Sequence, residues 1–198
     1  MKAYGRMIFM TKPRIIIVEG SQGVFKTSVT RKLRDKSVYT VLLALTGVEN
    51  KNEDGTKYVY AEHRSVLSMI DNCKGSGLNF ILDRSFMSNM VYQNLKYNNH
   101  DFESYYNSLF SHLNHIGEDY NVNFILLTAN GETFAERLNR NKPKFTDVNY
   151  NVTNSLSQQY QYEELVKDAC KKYSNITFTI MPTDNRTSDD IVKEIKSL

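Results

Sequence analysis

Residues 20–28 have the types and spacing of a loop that binds phosphate groups. Gly20 and Gly23 follow a run of apolar residues, and Lys26 and Thr27 begin a stretch with helical periodicity. Backbone N–H groups at a helix N-terminus can converge on phosphate oxygens, the lysine can reach the terminal phosphates of a triphosphate, and the threonine hydroxyl can bind Mg²⁺. The residues predicted to contact the triphosphate are Gly20, Ser21, Gln22, Gly23, Val24, Phe25, Lys26, Thr27 and Ser28.

Phe25 stands where the phosphate-loop pattern has its second glycine, directly before the lysine. A side chain at this position must point away from a bound nucleotide or crowd it. The alternative to a phosphate loop is a glycine-containing turn that carries a lysine by chance. The order of strand, loop and helix favours the phosphate loop, because that context is what confirms such a motif.

A second polar group, Asp83-Arg84-Ser85, follows another apolar run of strand length. Ligands of parallel sheets bind at the carboxyl ends of the strands, so we expect Asp83 to lie beside the phosphate loop. There its carboxylate can orient Mg²⁺ or accept a proton, and the planar guanidinium of Arg84 can bind a phosphate. In the alternative interpretation, Asp83 only caps the helix that follows.

The elements that must position these residues are apolar runs of strand length, which alternate with longer amphipathic stretches. Strands are predicted over residues 14–19, 38–45, 78–83, 122–128 and 176–181. Helices are predicted over residues 26–35, 58–74, 86–97, 102–118, 132–141, 152–172 and 188–196. Strands that alternate with helices are typical of an α/β fold, here a five-stranded and mostly parallel sheet with helices on both faces.

The length and composition limit the class of protein. A chain of 198 residues predicts a single domain over 1–198, in which residues 1–12 are a loose extension. The 25 lysines and arginines barely exceed the 22 aspartates and glutamates, which argues against a coat for nucleic acid. Cys73 and Cys170 lack the paired spacing of a disulfide framework or a zinc ribbon. No apolar run is long enough to cross a bilayer, so we expect a cytoplasmic protein with neither a nucleic-acid nor a membrane partner.

The order of these residues resembles the thymidylate kinase family of nucleoside monophosphate kinases. The matching residues are Glu19-Gly20, Lys26-Thr27, Tyr60, Arg64, Asp83-Arg84, Ser88 and Tyr92-Gln93. The resemblance covers the chain from about residue 14 to residue 195. It implies the three-layer P-loop kinase fold, ATP as phosphoryl donor, Mg²⁺ as cofactor, dTMP as acceptor and a homodimer.

The resemblance also implies a role for each matching residue on the acceptor side. Tyr60 would stack on the base and Arg64 would form a hydrogen bond with the edge of the base. Considered alone, Tyr60 could equally be a core aromatic residue and Arg64 a surface charge. Arg84 would bind the acceptor phosphate. The other residues implied to lie near the acceptor are Ser88, Asn89, Tyr92 and Tyr162.

Basic residues lead into the irregular segment 141–151, which contains Pro143. The resemblance implies that this segment is a lid and that Arg137 or Arg140 stabilises charge on the transferring phosphoryl group. The alternative is a solvated basic helix end, because cations are favourable at helix C-termini. The resemblance also places the segment 181–185 against the adenine of ATP.

Two other functions remain open at the level of sequence. Deoxynucleoside kinases have a related fold and carry Glu-Arg-Ser where this chain has Asp83-Arg84-Ser85. In that class Glu49 could serve as the base that activates a nucleoside hydroxyl. In the third possibility, Phe25 has abolished phosphoryl transfer and the chain is a degenerate protein that only binds nucleotide.

Overall fold

The computed structural model describes residues 12–34, 39–45, 55–96, 101–139 and 151–198. Several predictions fall outside these ranges. They concern the extension apart from Lys12, the lid apart from Asn151, the basic residue Arg140 and the alternative base Glu49.

The predicted strands are all present among the described residues. They are β1 (Arg14–Glu19), β2 (Thr40–Ala44), β3 (Asn79–Asp83), β4 (Asn121–Thr128) and β5 (Ile176–Pro182). All pairings are parallel, and the strands form one sheet in the order β2-β3-β1-β4-β5. The predicted α/β fold with a five-stranded parallel sheet is therefore confirmed.

The helices follow the predicted order, with small shifts at their ends. They are α1 (Lys26–Arg34), α2 (Gly55–Asn72), α3 (Phe86–Asn94), α4 (Glu103–Ile116), α5 (Gly131–Asn139), α6 (Val152–Lys172) and α7 (Ser188–Ser197). The largest shifts are at the start of α2, which begins at Gly55 instead of residue 58, and at the end of α3, which ends at Asn94 instead of residue 97. Helix ends are set by local capping and fraying rather than by the apolar period, so they are less well determined by sequence.

Two apolar clusters cover the two faces of the sheet. In β1, Ile15 and Ile17 belong to the larger cluster, and Ile16 and Val18 belong to the smaller one. The larger cluster includes residues of α2, α3, α4 and α6, and the smaller one includes residues of α1, α5 and α7. Alternate residues of a strand point to opposite faces, so burial on both faces explains why β1 is apolar almost throughout. No helix within the described ranges is long and apolar enough to span a membrane.

The register of the strands brings the predicted site residues to one edge of the sheet. Val18 pairs with Asp83 on one side, and Glu19 pairs with Leu126 on the other. The loop after β1 and the loop after β3 therefore start next to each other. This edge contains the carboxyl ends of the strands, where ligands of parallel sheets bind.

Candidate active site

The loop after β1 has a backbone that requires glycine at its first position. Gly20 has a φ of 140°, and a Cβ at this position would lie 2.4 Å from the carbonyl oxygen of Leu127. Because that oxygen belongs to the backbone at the end of β4, it cannot rotate away. Gly23 has a φ of 84°, a left-handed conformation that favours glycine. The loop thus turns tightly against β4 before it enters α1.

Phe25 has a left-handed backbone conformation, which glycine adopts more readily than any other residue. Its φ is 68°, which costs a non-glycine residue about 1–2 kcal/mol. The guanidinium carbon of Arg137 lies 4.0 Å from the centroid of the Phe25 ring, and the ring packs against the smaller apolar cluster. This cation–π contact and the apolar packing offset part of the backbone strain.

Arg137 joins the loop after β1 to the segment after β5. One of its terminal nitrogens, Nη1, donates to the Gly23 carbonyl oxygen over 3.1 Å and to Thr183 Oγ1 over 2.8 Å. The other, Nη2, donates to the Thr183 carbonyl oxygen over 2.7 Å. The predicted role of Arg137 as a catalytic cation remains a prediction. Thr183 itself is fully buried and donates to the Thr128 carbonyl oxygen, so this link also reaches β4.

Lys26 is the first residue of α1, and its side chain folds back on the backbone of the loop between β1 and α1. The residue is 7% exposed, and its Nζ donates to the Ser21 carbonyl oxygen over 2.6 Å. Burial and the charge of Arg84 lower the pKa of Lys26 to about 7, against the opposing effect of Glu19 and Asp83. Near neutral pH the Lys26 amine is therefore only partly protonated, and an approaching negative charge would favour its protonated form.

Thr27 and Asp83 could hold a divalent cation. Asp83 is buried, and its Oδ2 accepts a hydrogen bond of 3.3 Å from Thr30 Oγ1. In the described part of the chain, Asp83 Oδ1 has no hydrogen-bond partner, and neither has the buried Ser21 Oγ. Thr27 is exposed at the start of α1. Hydroxyl and carboxylate oxygens are ligands that Mg²⁺ prefers, so these residues fit the predicted ion.

Ser85, and not Asp83, caps α3. The side chain of Ser85 accepts a hydrogen bond from the backbone N–H of Met87 over 3.2 Å. The alternative interpretation of Asp83 as the helix cap is therefore wrong. A serine at the N-cap is as favourable as an aspartate, and it leaves the carboxylate of Asp83 available.

Glu19, the last residue of β1, is a buried acid that binds the start of α3. It is 0% exposed. Its Oε1 accepts from the Ser85 N–H over 2.6 Å and from Ser85 Oγ over 2.8 Å, and its Oε2 accepts from Ser88 Oγ over 2.9 Å. Burial raises the pKa of Glu19, although Arg84, both serines and Lys26 act against that rise. From the sequence, Glu19 was named only as part of the resemblance, and its contacts with Ser85 and Ser88 were not predicted. A charged residue at the end of an apolar strand was the feature that could have indicated such a role.

Four predicted substrate residues form one polar group beside Glu19. Arg84 Nη1 donates to Tyr92 Oη over 3.0 Å and to Ser88 Oγ over 3.5 Å. Ser88 Oγ also lies 2.8 Å from Tyr162 Oη. Burial disfavours the charge on Arg84, but Tyr92, Tyr162 and Glu19 outweigh that effect and raise its pKa. Arg84 therefore carries a positive charge at every relevant pH.

The predicted base contacts on α2 lie in different surroundings. Tyr60 stacks on Tyr105 with ring centroids 4.4 Å apart, and Arg64 is exposed. The neighbouring His63 is buried instead, and its Nε2 lies 3.0 Å from Asn89 Oδ1. Sequence reasoning missed His63, which shares the buried face of α2 with Val59, Leu67 and Ile70. That helical period was the signal that could have found it. The direct roles of Tyr60, Arg64 and Asn89 remain predictions.

No family model matches the sequence, and no curated protein is similar enough to match. Solved structures do match over almost the whole chain. A deoxyadenosine kinase from M. mycoides with dCMP and a flexible dCDP bound is 16% identical, with a TM-score of 0.53 over 92% of this chain and 96% of that one. The same kinase with bound dCTP is 17% identical, with a TM-score of 0.54 over 93% and 100% of the two chains.

A thymidylate kinase from Candida albicans is similar to the same degree. It is 16% identical, with a TM-score of 0.56 over 94% of this chain and 90% of that chain. At such identities the likeness establishes the fold and not the activity. The chain therefore has the fold that these P-loop nucleoside and nucleotide kinases share, and the sequence resemblance to thymidylate kinases is confirmed at the level of that fold.

Proposed function

We propose that this protein is a kinase that transfers the γ-phosphoryl group of ATP to a deoxynucleoside monophosphate, with dTMP preferred, in the presence of Mg²⁺. The observation that carries the proposal is the meeting of two groups at one edge of the sheet. Lys26 begins α1 directly after the loop that follows β1, and Asp83 ends the adjacent strand β3, where Arg84 follows it. Thr30 of α1 donates to Asp83 Oδ2 over 3.3 Å, so the two groups are in contact. A phosphoryl donor and a phosphate acceptor can approach each other at this edge.

The donor side would be formed by the backbone of residues 20–28 and by Lys26. A triphosphate would draw the Lys26 ammonium away from the Ser21 carbonyl oxygen and raise its pKa, because the phosphates are negatively charged. The glycine conformations at residues 20 and 23 let the backbone N–H groups approach the phosphate oxygens. Phosphoryl transfer needs little covalent chemistry, so positioned positive charge supplies most of the catalysis.

The predicted ion would be held by the Thr27 hydroxyl and by the Asp83 carboxylate. Bound Mg²⁺ supplies positive charge that neutralises the phosphate oxygens during transfer. The unpartnered Oδ1 of Asp83 supports this assignment, because a buried carboxylate oxygen without a hydrogen bond is unfavourable in the free protein. The same carboxylate could orient the acceptor.

The acceptor side would be organised around Arg84. Its guanidinium has donors beyond those that bind Tyr92 and Ser88, and its planar shape matches a phosphate. Tyr60, Arg64 and Asn89 are proposed to contact the base. The single-domain organisation, the lid over residues 141–151, the homodimer and the cytoplasmic location remain predictions.

A deoxynucleoside kinase is the second candidate. The similar deoxyadenosine kinase structures favour it, because they match this chain as well as the thymidylate kinase does. The third possibility, loss of turnover through Phe25, has less support. The backbone at Phe25 lies in the left-handed region that favours glycine, and its ring packs on Arg137.

A coupled ADP assay tests the proposal and separates the two kinase candidates. Wells contain the protein, ATP and Mg²⁺ with dTMP, dUMP, dGMP, dCMP, dAMP or thymidine. We expect turnover of dTMP above the other acceptors, and loss of about three orders of magnitude in Lys26→Ala with the circular dichroism unchanged. Lys32→Ala, which removes an exposed lysine of α1 that pairs with Asp189, is the matched control and keeps full activity. Turnover of thymidine alone would favour the nucleoside kinase, and full activity of Lys26→Ala would overturn both candidates.

A further inference from the structure

We infer that Glu19 is a positioning residue that holds Arg84 in place for the acceptor through the hydroxyl groups of Ser85 and Ser88. The inference rests on the proposed function only for the identity of the acceptor. The buried contacts that carry it are independent of any reaction.

Glu19 connects the two halves of the candidate site. It is the residue directly before Gly20, so its backbone leads into the phosphate loop, while its carboxylate accepts three hydrogen bonds from Ser85 and Ser88 at the start of α3. Arg84 lies between β3 and that helix, and its backbone N–H donates to the Val18 carbonyl oxygen over 3.1 Å. These hydrogen bonds attach residues 84–88 to β1 at Glu19 and at the preceding Val18.

The donor and the acceptor can be assigned for each hydrogen bond around Ser88. The hydroxyl of Ser88 has a single hydrogen, which it donates to Glu19 Oε2, so Tyr162 must donate to Ser88 Oγ. Ser88 Oγ also accepts from Arg84 Nη1. The hydroxyl groups of Ser88 and Tyr162 thus form hydrogen bonds with other residues of the protein. Ser88 is only 3% exposed and Tyr162 is 0% exposed. They would affect the acceptor through Arg84 and not by touching it.

Arg84 needs this support for two reasons. Its φ of 77° is a left-handed conformation that a side chain rarely adopts, so the segment is held against a local preference. Its guanidinium is partly buried, and burial of a charge without an opposite charge is unfavourable. The carboxylate of Glu19 supplies that opposite charge. Without this carboxylate, hydration of the Arg84 guanidinium becomes the more favourable state. The side chain then turns toward water and leaves the position in which it can bind a phosphate.

Glu19→Gln is the decisive variant because it removes the charge and keeps the shape. The amide oxygen can still accept from Ser85, while the amide nitrogen donates to Ser88, whose hydroxyl then donates to Tyr162. Nuclear magnetic resonance of ¹⁵N-labelled arginine side chains, recorded at pH 6, reports the exchange of the Arg84 Nε–H with water. The signal is assigned by its loss in Arg84→Lys. We expect exchange to be about tenfold faster in Glu19→Gln, with the Arg137 signal unchanged.

Two further variants make the result specific. Glu194→Gln removes a surface acid that pairs with Arg186 and leaves the Arg84 exchange rate unchanged. Ser88→Ala removes the hydroxyl between Glu19 and Arg84 without changing any charge, and we expect about threefold faster exchange. If Glu19→Gln does not fold, Ser88→Ala decides the inference.

The kinetic consequence is a change on the acceptor side of the reaction. In Glu19→Gln we expect the KM for the acceptor to rise about tenfold at pH 6, below the pKa of about 7 of Lys26, while the affinity for ATP changes by less than about threefold. Unchanged Arg84 exchange in Glu19→Gln and Ser88→Ala, or a rise in the ATP KM alone, would overturn the inference. If the wild type phosphorylated no acceptor, the proposed function would fail, and the exchange rates would still decide the role of Glu19.

Discussion

Gly20 and Phe25 both have positive φ in the loop between β1 and α1, and the structure accommodates this backbone conformation differently at the two positions. Gly20 has the residue type that the backbone needs, and the Leu127 carbonyl oxygen fills the space that a side chain would take. Phe25 has a residue type that the backbone disfavours, and the Arg137 guanidinium and the apolar cluster stabilise it from outside. Any side chain at position 20 would clash with the backbone of Leu127, whereas the stability of the loop at Phe25 depends on the contact with Arg137.

Gly20→Ala is predicted to weaken ATP binding and to destabilise the fold. The new Cβ would lie 2.4 Å from a backbone oxygen, so the loop must move, and we expect at least a tenfold loss of ATP affinity and about 2–4 kcal/mol of unfolding free energy. Isothermal titration calorimetry and urea denaturation measure the two effects. Gly75→Ala is the matched control, since Gly75 has a φ of 79° and nothing within 4 Å of a Cβ. Equal loss of ATP affinity in both variants would contradict the prediction.

Phe25→Gly is predicted to be more stable than Phe25→Ala, by about 1 kcal/mol of unfolding free energy. Both variants lose the ring that packs against Arg137, but only glycine relieves the strain at a φ of 68°. Urea denaturation of the two variants measures the difference. Alanine is the more stabilising residue at ordinary positions, so an alanine variant equal to or more stable than the glycine variant would show that this backbone conformation is not required.

Among the elements, the strands were the most predictable from sequence and the contacts between elements the least. The bounds of β1 were predicted correctly because both faces of this strand are covered and its apolar run is continuous. The order of the site residues along the chain was also sufficient to place residues 20–28 and Asp83-Arg84 at the carboxyl edge of the sheet.

The partners of the site residues could not be predicted, because they come from distant parts of the chain. Glu19 and Ser85 are separated by 66 positions, and Gly23 and Arg137 by 114. No local period relates such residues. His63 differs, since it follows the apolar period of α2 and could have been assigned to the buried face. Arg64, chosen instead from the resemblance, is exposed.

For the whole molecule, the buried Lys26 predicts a dependence of stability on pH. Its pKa is about 7 in the folded protein and about 10.5 in an unfolded chain, so between these values the unfolded chain binds the additional proton. The free energy of unfolding of the nucleotide-free protein therefore rises with pH in this window, by up to about 1 kcal/mol per pH unit. Below pH 7 the two states bind this proton equally and the contribution is constant.

Urea denaturation between pH 7.5 and pH 9.5 measures this dependence. We expect Lys26→Met to flatten the rise, because the variant has no ammonium group to bury. Lys32→Met, which replaces a lysine that pairs with Asp189 at the surface, keeps the slope of the wild type. A wild type and a Lys26→Met variant with parallel pH profiles would contradict the burial of a titrating lysine in the loop.

The function proposed for the whole molecule is the transfer of a phosphoryl group from one nucleotide to another. Phosphorus nuclear magnetic resonance follows it directly in a mixture of the protein, Mg²⁺, ATP and dTMP. We expect that the dTMP signal is replaced by the two signals of a nucleoside diphosphate as ADP accumulates in equal amount, and that Lys26→Ala stops both changes. An unchanged dTMP signal, with ATP either intact or hydrolysed to ADP and free phosphate, would contradict this expectation.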